Sequence, residues 1–231
     1  MVRDFLYAAV YDGDRYVLSP HDGAVLDARR MNEMRALDLV MLDRDGVINR
    51  DHPQSIRSVA EFELLPGAAQ GIALLNKAHI PVAVVTNQAV VGRGDISLED
   101  LHRIHQRMHD LLAEHQARVD QVYVCTDVAI EPHYRRKPAS GMLREALEKF
   151  DARPEHSPFV GDALRDLQAA ASLGCPRILV RTGKGVETEA KGWPVALEPV
   201  HIFSDLLSVI QALMENLDTS REAFYTENLS S

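Results

Sequence analysis

The stretch LDLVMLDRDGVIN, from Leu37 to Asn49, decides the fold of this chain. Its apolar run has the length and composition of a buried parallel strand, and it ends abruptly in Asp43 and Asp45, followed by Gly46. In open α/β sheets, ligands bind at the carboxyl ends of such strands. Two acids one residue apart repel each other, and a cation or a shared proton relieves the repulsion. Because carboxylates are hard oxygen ligands, the stretch predicts a magnesium site.

The composition indicates one soluble domain with appendages. The chain has 231 residues, 46% of them hydrophobic, which is enough for one well-buried core. Its formal net charge of −9 argues against a nucleic-acid or anionic-membrane partner. Two cysteines, Cys125 and Cys175, suit a reducing, cytoplasmic setting and cannot build a disulfide framework. No stretch approaches the roughly 20 apolar residues of a membrane span, and no secretory signal is visible.

Apolar runs alternate with helical patterns along the rest of the chain. After the first strand, the predicted strands are Pro81–Val85, Val119–Val124, Pro158–Val160 and Ile178–Val180. The predicted helices are Ala68–Ala78, Ser97–His115, Gly141–Phe150, Leu164–Leu173 and Leu206–Leu217. This alternation predicts an α/β fold, a Rossmann-like doubly wound parallel sheet with helices on both faces. With no large insertion after Asn49 or Gly94, we expect no large cap domain and an open site.

The two ends of the chain differ from this core. Residues 1–36 are predicted to be an N-terminal extension with a possible hairpin, because Asp12-Gly13 separates two short apolar runs. A capping or dimerising role is the alternative for this extension. The core domain is predicted over residues 37–217, followed by a polar, frayed tail over 218–231. We expect a monomer or a small homo-oligomer.

Four polar clusters stand at the predicted carboxyl ends of four strands. They are Asp43 with Asp45, Thr86 with Asn87, Arg136 with Lys137 on the loop after the third strand, and Asp162. Right-handed crossovers bring these strand ends to one edge of the sheet. Each cluster alone is weak, since a lone D-x-D is usually a solvated turn. Their joint occurrence, in this order, makes the pattern specific.

Such a set of residues could transfer a phosphoryl group. Asp43 could attack covalently, and Asp45 could donate and then withdraw a proton. The Thr86 hydroxyl and the Lys137 charge suit the oxygens of a phosphoryl group in transfer. Asp162 would complete a Mg²⁺ shell with Asp43 and the backbone carbonyl of Asp45. Asp166, four residues after Asp162, could hold a metal-bound water.

The same motifs resemble those of the haloacid-dehalogenase-like phosphatases. The matching segments are Asp43–Asn49, Thr86–Gln88, Val90–Gly94, Arg136–Pro138 with Gly141-Met142, Gly161-Asp162 with Asp166, and Val180–Lys184. The chain is most similar to the branch that holds the histidinol phosphatases and the heptose-bisphosphate phosphatases. The resemblance covers roughly residues 38–215 and leaves the first 36 unexplained.

The resemblance implies a Mg²⁺-dependent phosphomonoesterase with an aspartyl-phosphate intermediate and a small phosphorylated metabolite as its substrate. Asp43 would be the nucleophile and Asp45 the general acid/base, while Thr86 and Lys137 would bind the phosphoryl group. The metal residues would be Asp43, Asp45 and Asp162. The implied substrate contacts are Asn49, Asp51, His52, Asn87, Gln88 and Arg136. The first expected substrate is D-glycero-D-manno-heptose 1,7-bisphosphate, which would place the enzyme in heptose precursor synthesis.

Two departures from this branch concern substrate choice and zinc. Members often carry a C-x-H…C-x-C zinc loop before R-K-P, but here only Cys125 and His133 stand near that loop. We therefore do not expect zinc. The lysine that often follows the Gly-Asp of the last motif is Ala163 here. One phosphate contact is then either missing or supplied by Arg165 or Lys184.

Several alternatives stay open at this point. Histidinol phosphate is the second candidate substrate. A polynucleotide 3′-phosphatase shares D-x-D-G and T-N-Q, but the net charge and the absent G-x-x-x-x-G-K-[ST] count against it. A receiver-type signalling domain would carry its phosphorylated aspartate on strand three, which ends here in Cys125 and Thr126. Ala163 also leaves open a non-catalytic phosphate-binding module.

Three histidines at helical spacing invite a metal interpretation. His102, His105 and His109 lie on one face of the helix predicted after Ser97. Since no carboxylate stands at a fixed spacing from them, an exposed polar helix face is expected instead. Cys125 is expected to be a small buried side chain rather than a reactive thiol.

Overall fold

The structure, a computed structural model, describes residues 9–11, 15–18, 25–27, 37–128 and 134–228. The chain divides into two compact units, and the larger one is Leu37–Asn216. The Asp12-Gly13 turn, His133 and the last three residues of the predicted tail lie outside the described residues. Among the described residues, no helix has the length and apolar character that crossing a membrane requires.

A small antiparallel sheet lies near the N-terminus. Its strands are β1 (Ala9–Tyr11), β2 (Arg15–Leu18) and β3 (Val25–Asp27), in that spatial order. Tyr11 lies opposite Tyr16 in the antiparallel register of β1 and β2. The third strand was not predicted, because three residues are too few to show an alternating pattern.

The core is a six-stranded parallel sheet. Its strands are β4 (Val40–Leu42), β5 (Val82–Asn87), β6 (Gln121–Cys125), β7 (Phe159–Gly161), β8 (Arg177–Val180) and β9 (Val200–Phe203). The spatial order is β6-β5-β4-β7-β8-β9. The chain leaves β4 towards β5 on one side and later returns to β7 on its other side. This reversal of direction next to β4 is where doubly wound folds bind their ligands.

Seven helices accompany the two sheets in the described residues. They are α1 (Ala68–Lys77), α2 (Ala89–Gly92), α3 (Leu98–Ala113), α4 (Gly141–Phe150), α5 (Leu164–Ala171), α6 (Gly185–Lys191) and α7 (Leu206–Asn228). Short 3-10 turns occur at Val59–Glu61, Pro154–His156 and Val195–Leu197. The helix α7 continues to Asn228, into the segment where a polar tail was predicted.

Helices cover both faces of the core sheet, which confirms the predicted fold class. On one face, Leu39 before β4 and Met41 within it belong to a buried cluster with residues of α4 and α5, and the buried Cys125 lies in that cluster. The helices α1 and α7 approach each other closely, because a Cβ on Gly71 would lie 3.3 Å from Ile210 Cγ1. No inserted cap domain is present in residues 37–128 or 134–217.

One ion pair ties the start of β4 to the segment after α4. The guanidinium of Arg153 donates from Nε to Asp38 Oδ2 at 2.7 Å and from Nη2 to Oδ1 at 2.9 Å. The backbone N–H of Arg153 also donates to Asp38 Oδ2. Burial alone would raise the pKa of Asp38, but these bonds and the arginine charge outweigh it and hold the pKa below its usual range.

The substitution Asp38→Asn should lower the free energy of unfolding by about 1 kcal/mol at pH 7. Because folding depresses the pKa of Asp38, its contribution is present above the unfolded pKa and is lost as the pH falls through the folded one. Urea unfolding at pH 7 and below about pH 4 should show the difference shrink with acid. Glu155→Gln, an exposed carboxylate two residues from Arg153, is the matched control. Equal stability of Asp38→Asn and wild type at pH 7 would contradict this role.

Candidate active site

The carboxyl edge of the core sheet gathers the polar residues that follow its strands. Asp43 comes directly after β4, Thr86 is the second-last residue of β5, and Asp162 comes directly after β7. Lys137 reaches the same place from the loop after β6. All four side chains are buried. The strand order brings them together because β4 lies between β5 and β7.

Three carboxylates meet at this edge. Asp43, Asp162 and Asp166 each place an oxygen within 4.8 Å of the others, and all three residues are buried. Asp166 lies in the first turn of α5, where its Oδ2 accepts from the backbone N–H of Ala163 at 3.1 Å. Asp45 was predicted to reach the metal through its backbone carbonyl, and its side chain lies outside this carboxylate cluster among the described residues.

Lys137 places one positive charge inside this acidic cluster. Its Nζ lies 2.9 Å from Asp43 Oδ1 and 2.8 Å from Asp166 Oδ1. It also donates to the carbonyl oxygen of Val85 in β5 at 2.8 Å. An ammonium group has three donors, so Nζ can serve the Val85 carbonyl while both carboxylates lie at ion-pair distance. Lys137 therefore holds β5, the end of β4 and the start of α5 in one arrangement.

The remaining negative charge makes the cluster suited to a divalent cation. Burial raises the pKa of Asp43, against the opposing charge of Lys137. Burial, followed by the charges of Asp43 and Asp166, raises the pKa of Asp162 to about 7. Oδ1 of Asp162 is buried and has no hydrogen-bond partner in the described part of the chain. An orphaned carboxylate oxygen beside two further acids suits a hard cation such as Mg²⁺.

Two glycines allow the backbone to close around Asp162. Gly46 and Gly183 have φ angles of +83° and +57°. A Cβ on Gly46 would lie 2.1 Å from Asp162 Oδ2, and one on Gly183 would lie 2.2 Å from the same atom. The backbone N–H of Lys184 donates to that oxygen at 2.8 Å. The segment after β8 thus orients Asp162, a role that its R-T-G-K motif did not reveal by itself.

Asp45 occupies a separate environment. Nη2 of Arg44 donates to both of its oxygens at 2.9 Å. The amide of Asn49 donates to Oδ1 and that of Gln88 to Oδ2, each at 2.8 Å. Burial would raise the pKa of Asp45, but the Arg44 charge and these hydrogen bonds hold it below its usual range. Asp45 is therefore a carboxylate that accepts from several donors.

Comparison with known proteins places the chain among phosphatases. Residues 134–209 match the family model described as HAD-hydrolase-like. The chain is 38% identical over 179 residues to D-glycero-beta-D-manno-heptose-1,7-bisphosphate 7-phosphatase of Bordetella bronchiseptica, covering 78% of this chain and 99% of the relative. It is 40% identical over 178 residues to the Pseudomonas putida protein of the same name, covering 77% and 100%. The chain belongs to the haloacid-dehalogenase-like phosphatases. The family predicted from the motifs is thereby confirmed.

A solved relative has the same fold. The structure of D,D-heptose 1,7-bisphosphate phosphatase from B. bronchiseptica, complexed with magnesium and phosphate, superimposes with a TM-score of 0.74 at 39% identity. The superposition covers 77% of this chain and 98% of the other. The present chain is therefore a phosphoric monoester hydrolase with the fold of the haloacid-dehalogenase-like phosphatases.

In this phosphatase, three of the predicted substrate contacts support the site from within. Asn49 and Gln88 are buried and hold Asp45, and Gln88 also donates to Thr86 Oγ1 at 2.8 Å. Asn87 brackets the backbone of Lys137, donating to its carbonyl at 3.0 Å and accepting from its N–H at 3.1 Å. These amides support the site through bonds inside the protein, and their contact with substrate stays a prediction.

The other predicted substrate contacts are more accessible. His52 is exposed, and Asp51 and Arg136 are half-buried. Asp51 Oδ2 lies 2.9 Å from Lys184 Nζ, and Nη1 of Arg136 donates to the carbonyl of Asp127 at 2.6 Å. These three side chains lie on loops that follow β4 and β6.

The two cations expected to replace a lysine at position 163 differ in their surroundings. Lys184 already pairs with Asp51. Nε of Arg165 is buried and has no hydrogen-bond acceptor among the described residues. Burial lowers the pKa of Arg165, but the carboxylates led by Asp166 and Asp43 outweigh that and raise it. Arg165 therefore keeps its charge and an unused donor near the acidic cluster.

His105 corrects the expectation for the histidine face of α3. It is half-buried, and its Nε2 lies 3.1 Å from Nη1 of Arg44, whereas His102 is exposed. Burial, followed by the charge of Arg44, lowers the pKa of His105 to about 3. Helical spacing alone could not show this contact, because the partner is 61 residues away in the chain.

Magnesium should raise the thermal midpoint of the wild-type protein, because the ion binds only the folded cluster. A shift of roughly 5 °C is expected once Mg²⁺ exceeds its dissociation constant about 100-fold. Asp162→Asn removes one of three buried acids, so the metal-free variant should be at least as stable as wild type and should lose the shift. Differential scanning calorimetry with Mg²⁺ and with EDTA measures both effects.

Asp110→Asn on the exposed side of α3 is the matched control for this experiment. It makes the same chemical change away from the cluster and should keep the full shift. A full shift in Asp162→Asn would show that Mg²⁺ binds elsewhere.

Proposed function

We propose that this phosphatase hydrolyses D-glycero-D-manno-heptose 1,7-bisphosphate with Mg²⁺, through a phosphorylated Asp43. The observation that carries the chemistry is the different surroundings of the two aspartates. Asp43 belongs to the acidic cluster, whereas Asp45 accepts hydrogen bonds from the Arg44 guanidinium, called the Arg44 fork below. The substrate is supported by the names of the Bordetella and Pseudomonas relatives, which the chain covers almost entirely. An open site without a cap, as the described core has, suits an elongated bisphosphate.

Asp43 is fixed for nucleophilic attack by two donors on the same oxygen. The backbone N–H of Arg44 donates to Oδ1 at 2.7 Å, and Lys137 Nζ lies 2.9 Å from it. Oδ2 is then the oxygen that attacks phosphorus. The bond between phosphorus and the sugar oxygen breaks, and the phosphoryl group passes to Asp43. A carboxylate is a competent nucleophile only while ionised, and Lys137 favours that form.

Asp45 then transfers the protons. In its protonated form it gives a proton to the departing sugar oxygen, and as a carboxylate it takes one from the water that attacks the phosphorylated Asp43. That second attack releases inorganic phosphate and restores both residues. The low pKa of Asp45 suits the second role. Arrival of a phosphate dianion raises that pKa by charge repulsion, which favours the first role.

Several groups are available for the charge of the phosphoryl oxygens. Thr86 Oγ1 accepts from Gln88, which leaves its own O–H free to donate. Lys137 contributes a fixed charge, and Arg165 has an unused Nε donor. Mg²⁺, held by Asp43 and Asp162 with the backbone carbonyl of Asp45, would supply further neutralisation of the transferred phosphoryl group.

The charges around the site favour a bisphosphate over histidinol phosphate. Arg165 lies near the acidic cluster and Arg136 is adjacent to Lys137 in the chain, and a second phosphate would be attracted to these cations. Histidinol phosphate carries an ammonium group instead, which these cations would repel. The nearby acid Asp51 is already paired with Lys184. Asp51, His52 and Arg136 are the side chains proposed to contact the heptose and its distal phosphate.

A panel of phosphorylated metabolites tests this proposal. With Mg²⁺, kcat/KM should be at least roughly 100-fold higher for the heptose bisphosphate than for histidinol phosphate. Phosphorus NMR of the product should show that the phosphate on carbon 7 is lost. Asp43→Asn should reduce the rate at least about 1000-fold, because an amide cannot replace the nucleophile. Its circular dichroism should match that of wild type.

The controls separate the alternatives. Asp110→Asn should keep the wild-type rate. A preference for histidinol phosphate would support the alternative substrate, and a preference for a 3′-phosphorylated oligonucleotide would support a nucleic-acid phosphatase. Release from no phosphomonoester would indicate a binding module, while normal turnover by Asp43→Asn would refute the mechanism.

A further inference from the structure

Arg44 stands between the two acids of the site, and its side chain has no direct part in the chemistry above. Its side chain is fully buried, which is rare for an arginine and requires partners for its donors. Nη2 lies 2.9 Å from both oxygens of Asp45, and Nε lies 3.3 Å from Oδ1. Nη1 points to another element and meets Nε2 of His105 on α3 at 3.1 Å. The guanidinium thus links α3 to Asp45.

The chemistry of this contact fixes the state of the histidine. A guanidinium has only donors and stays charged, so Nε2 of His105 must be the acceptor. An acceptor Nε2 carries no proton, and the imidazole is therefore neutral with its proton on Nδ1. A protonated ring would instead press two cations together in a buried place.

We propose that His105 is a positioning residue that holds Asp45 in place through Arg44. This inference rests on the acid/base role proposed for Asp45. A guanidinium is rigid and planar, so an acceptor at Nη1 sets the plane in which the rest of the group meets the carboxylate. Without that acceptor, Arg44 can rotate towards another partner, and the carboxylate turns with it. Asn49 and Gln88 would still hold Asp45, but not at the angle that proton transfer needs.

Comparing kcat/KM for substrates with a poor and a good leaving group distinguishes lost positioning of Asp45 from general damage to the fold, which would lower both values. A sugar oxygen leaves poorly and needs the proton of Asp45, whereas p-nitrophenolate leaves easily without it. The ratio kcat/KM reports only the steps up to departure of the leaving group, so it excludes the later hydrolysis of the phosphorylated Asp43. Loss of the positioning contact should therefore reduce kcat/KM for the sugar substrate and spare p-nitrophenyl phosphate.

The substitutions His105→Leu and His105→Gln both remove the imidazole ring, but only glutamine keeps a hydrogen-bond acceptor for Arg44. His105→Leu removes the acceptor and should lower kcat/KM for the heptose bisphosphate roughly tenfold or more, through kcat, while kcat/KM for p-nitrophenyl phosphate changes less than about threefold. His105→Gln can offer its side-chain oxygen near the former Nε2 and should restore the sugar activity to within about threefold of wild type. His102→Leu, on the exposed side of the same helix, should match wild type on both substrates.

The outcomes separate this inference from the proposed function. Equal losses on both substrates in His105→Leu, unchanged activity on both, or a glutamine variant as impaired as the leucine one would each overturn the inference. If His105→Leu does not fold, His105→Ala replaces it in the same comparison. A wild-type protein that hydrolyses neither substrate would refute the proposed function itself, whatever the variants do.

Discussion

The contact of Lys137 with two buried carboxylates is the interaction on which the rest of the site depends. Asp43, Asp162 and Asp166 come from two different strand ends and a helix, and the fold buries all three. Burying unpaired charges is costly, and one lysine can offset only part of the negative charge. Because Nζ of Lys137 also bonds to Val85 in β5, the same residue that balances charge links the acidic cluster to the neighbouring strand. The charge that remains is what makes the cluster receptive to a divalent cation and to the nearby Arg165.

The short spacing of the two aspartates after β4 gives them different surroundings. Asp43 faces the acidic cluster, where burial raises its pKa, while Asp45 faces the Arg44 fork, which lowers its pKa. Pairs of acids whose surroundings shift them in opposite directions are the usual basis for dividing a reaction between two carboxylates. Here the separation is achieved by one intervening residue, Arg44, whose backbone N–H serves Asp43 and whose side chain serves Asp45.

Much of this could be predicted from the sequence, because the parallel fold and the strand ends are local patterns. The apolar runs that became β4, β5 and β7 each stop at a polar residue, and the topology then assembles those residues. The strand β9 and the helix α6 were not predicted, since four and seven residues give too weak a period. The contact between Arg44 and His105, the ion pair of Asp166 with Lys137 and the inward use of Asn49 and Gln88 escaped prediction. Each depends on where a side chain points across elements that are distant in sequence.

The claim that Asp43 accepts the phosphoryl group is tested most directly by trapping it. The enzyme is quenched in acid while it turns over the heptose bisphosphate with Mg²⁺, reduced with borohydride, digested and analysed by mass spectrometry. Borohydride converts a phosphorylated aspartate to homoserine and leaves free carboxylates unchanged. The account predicts that Asp43 alone is converted, within the peptide that contains Leu37–Asn49. Conversion at Asp45, Asp162 or Asp166 instead, or of no aspartate during turnover, would contradict it.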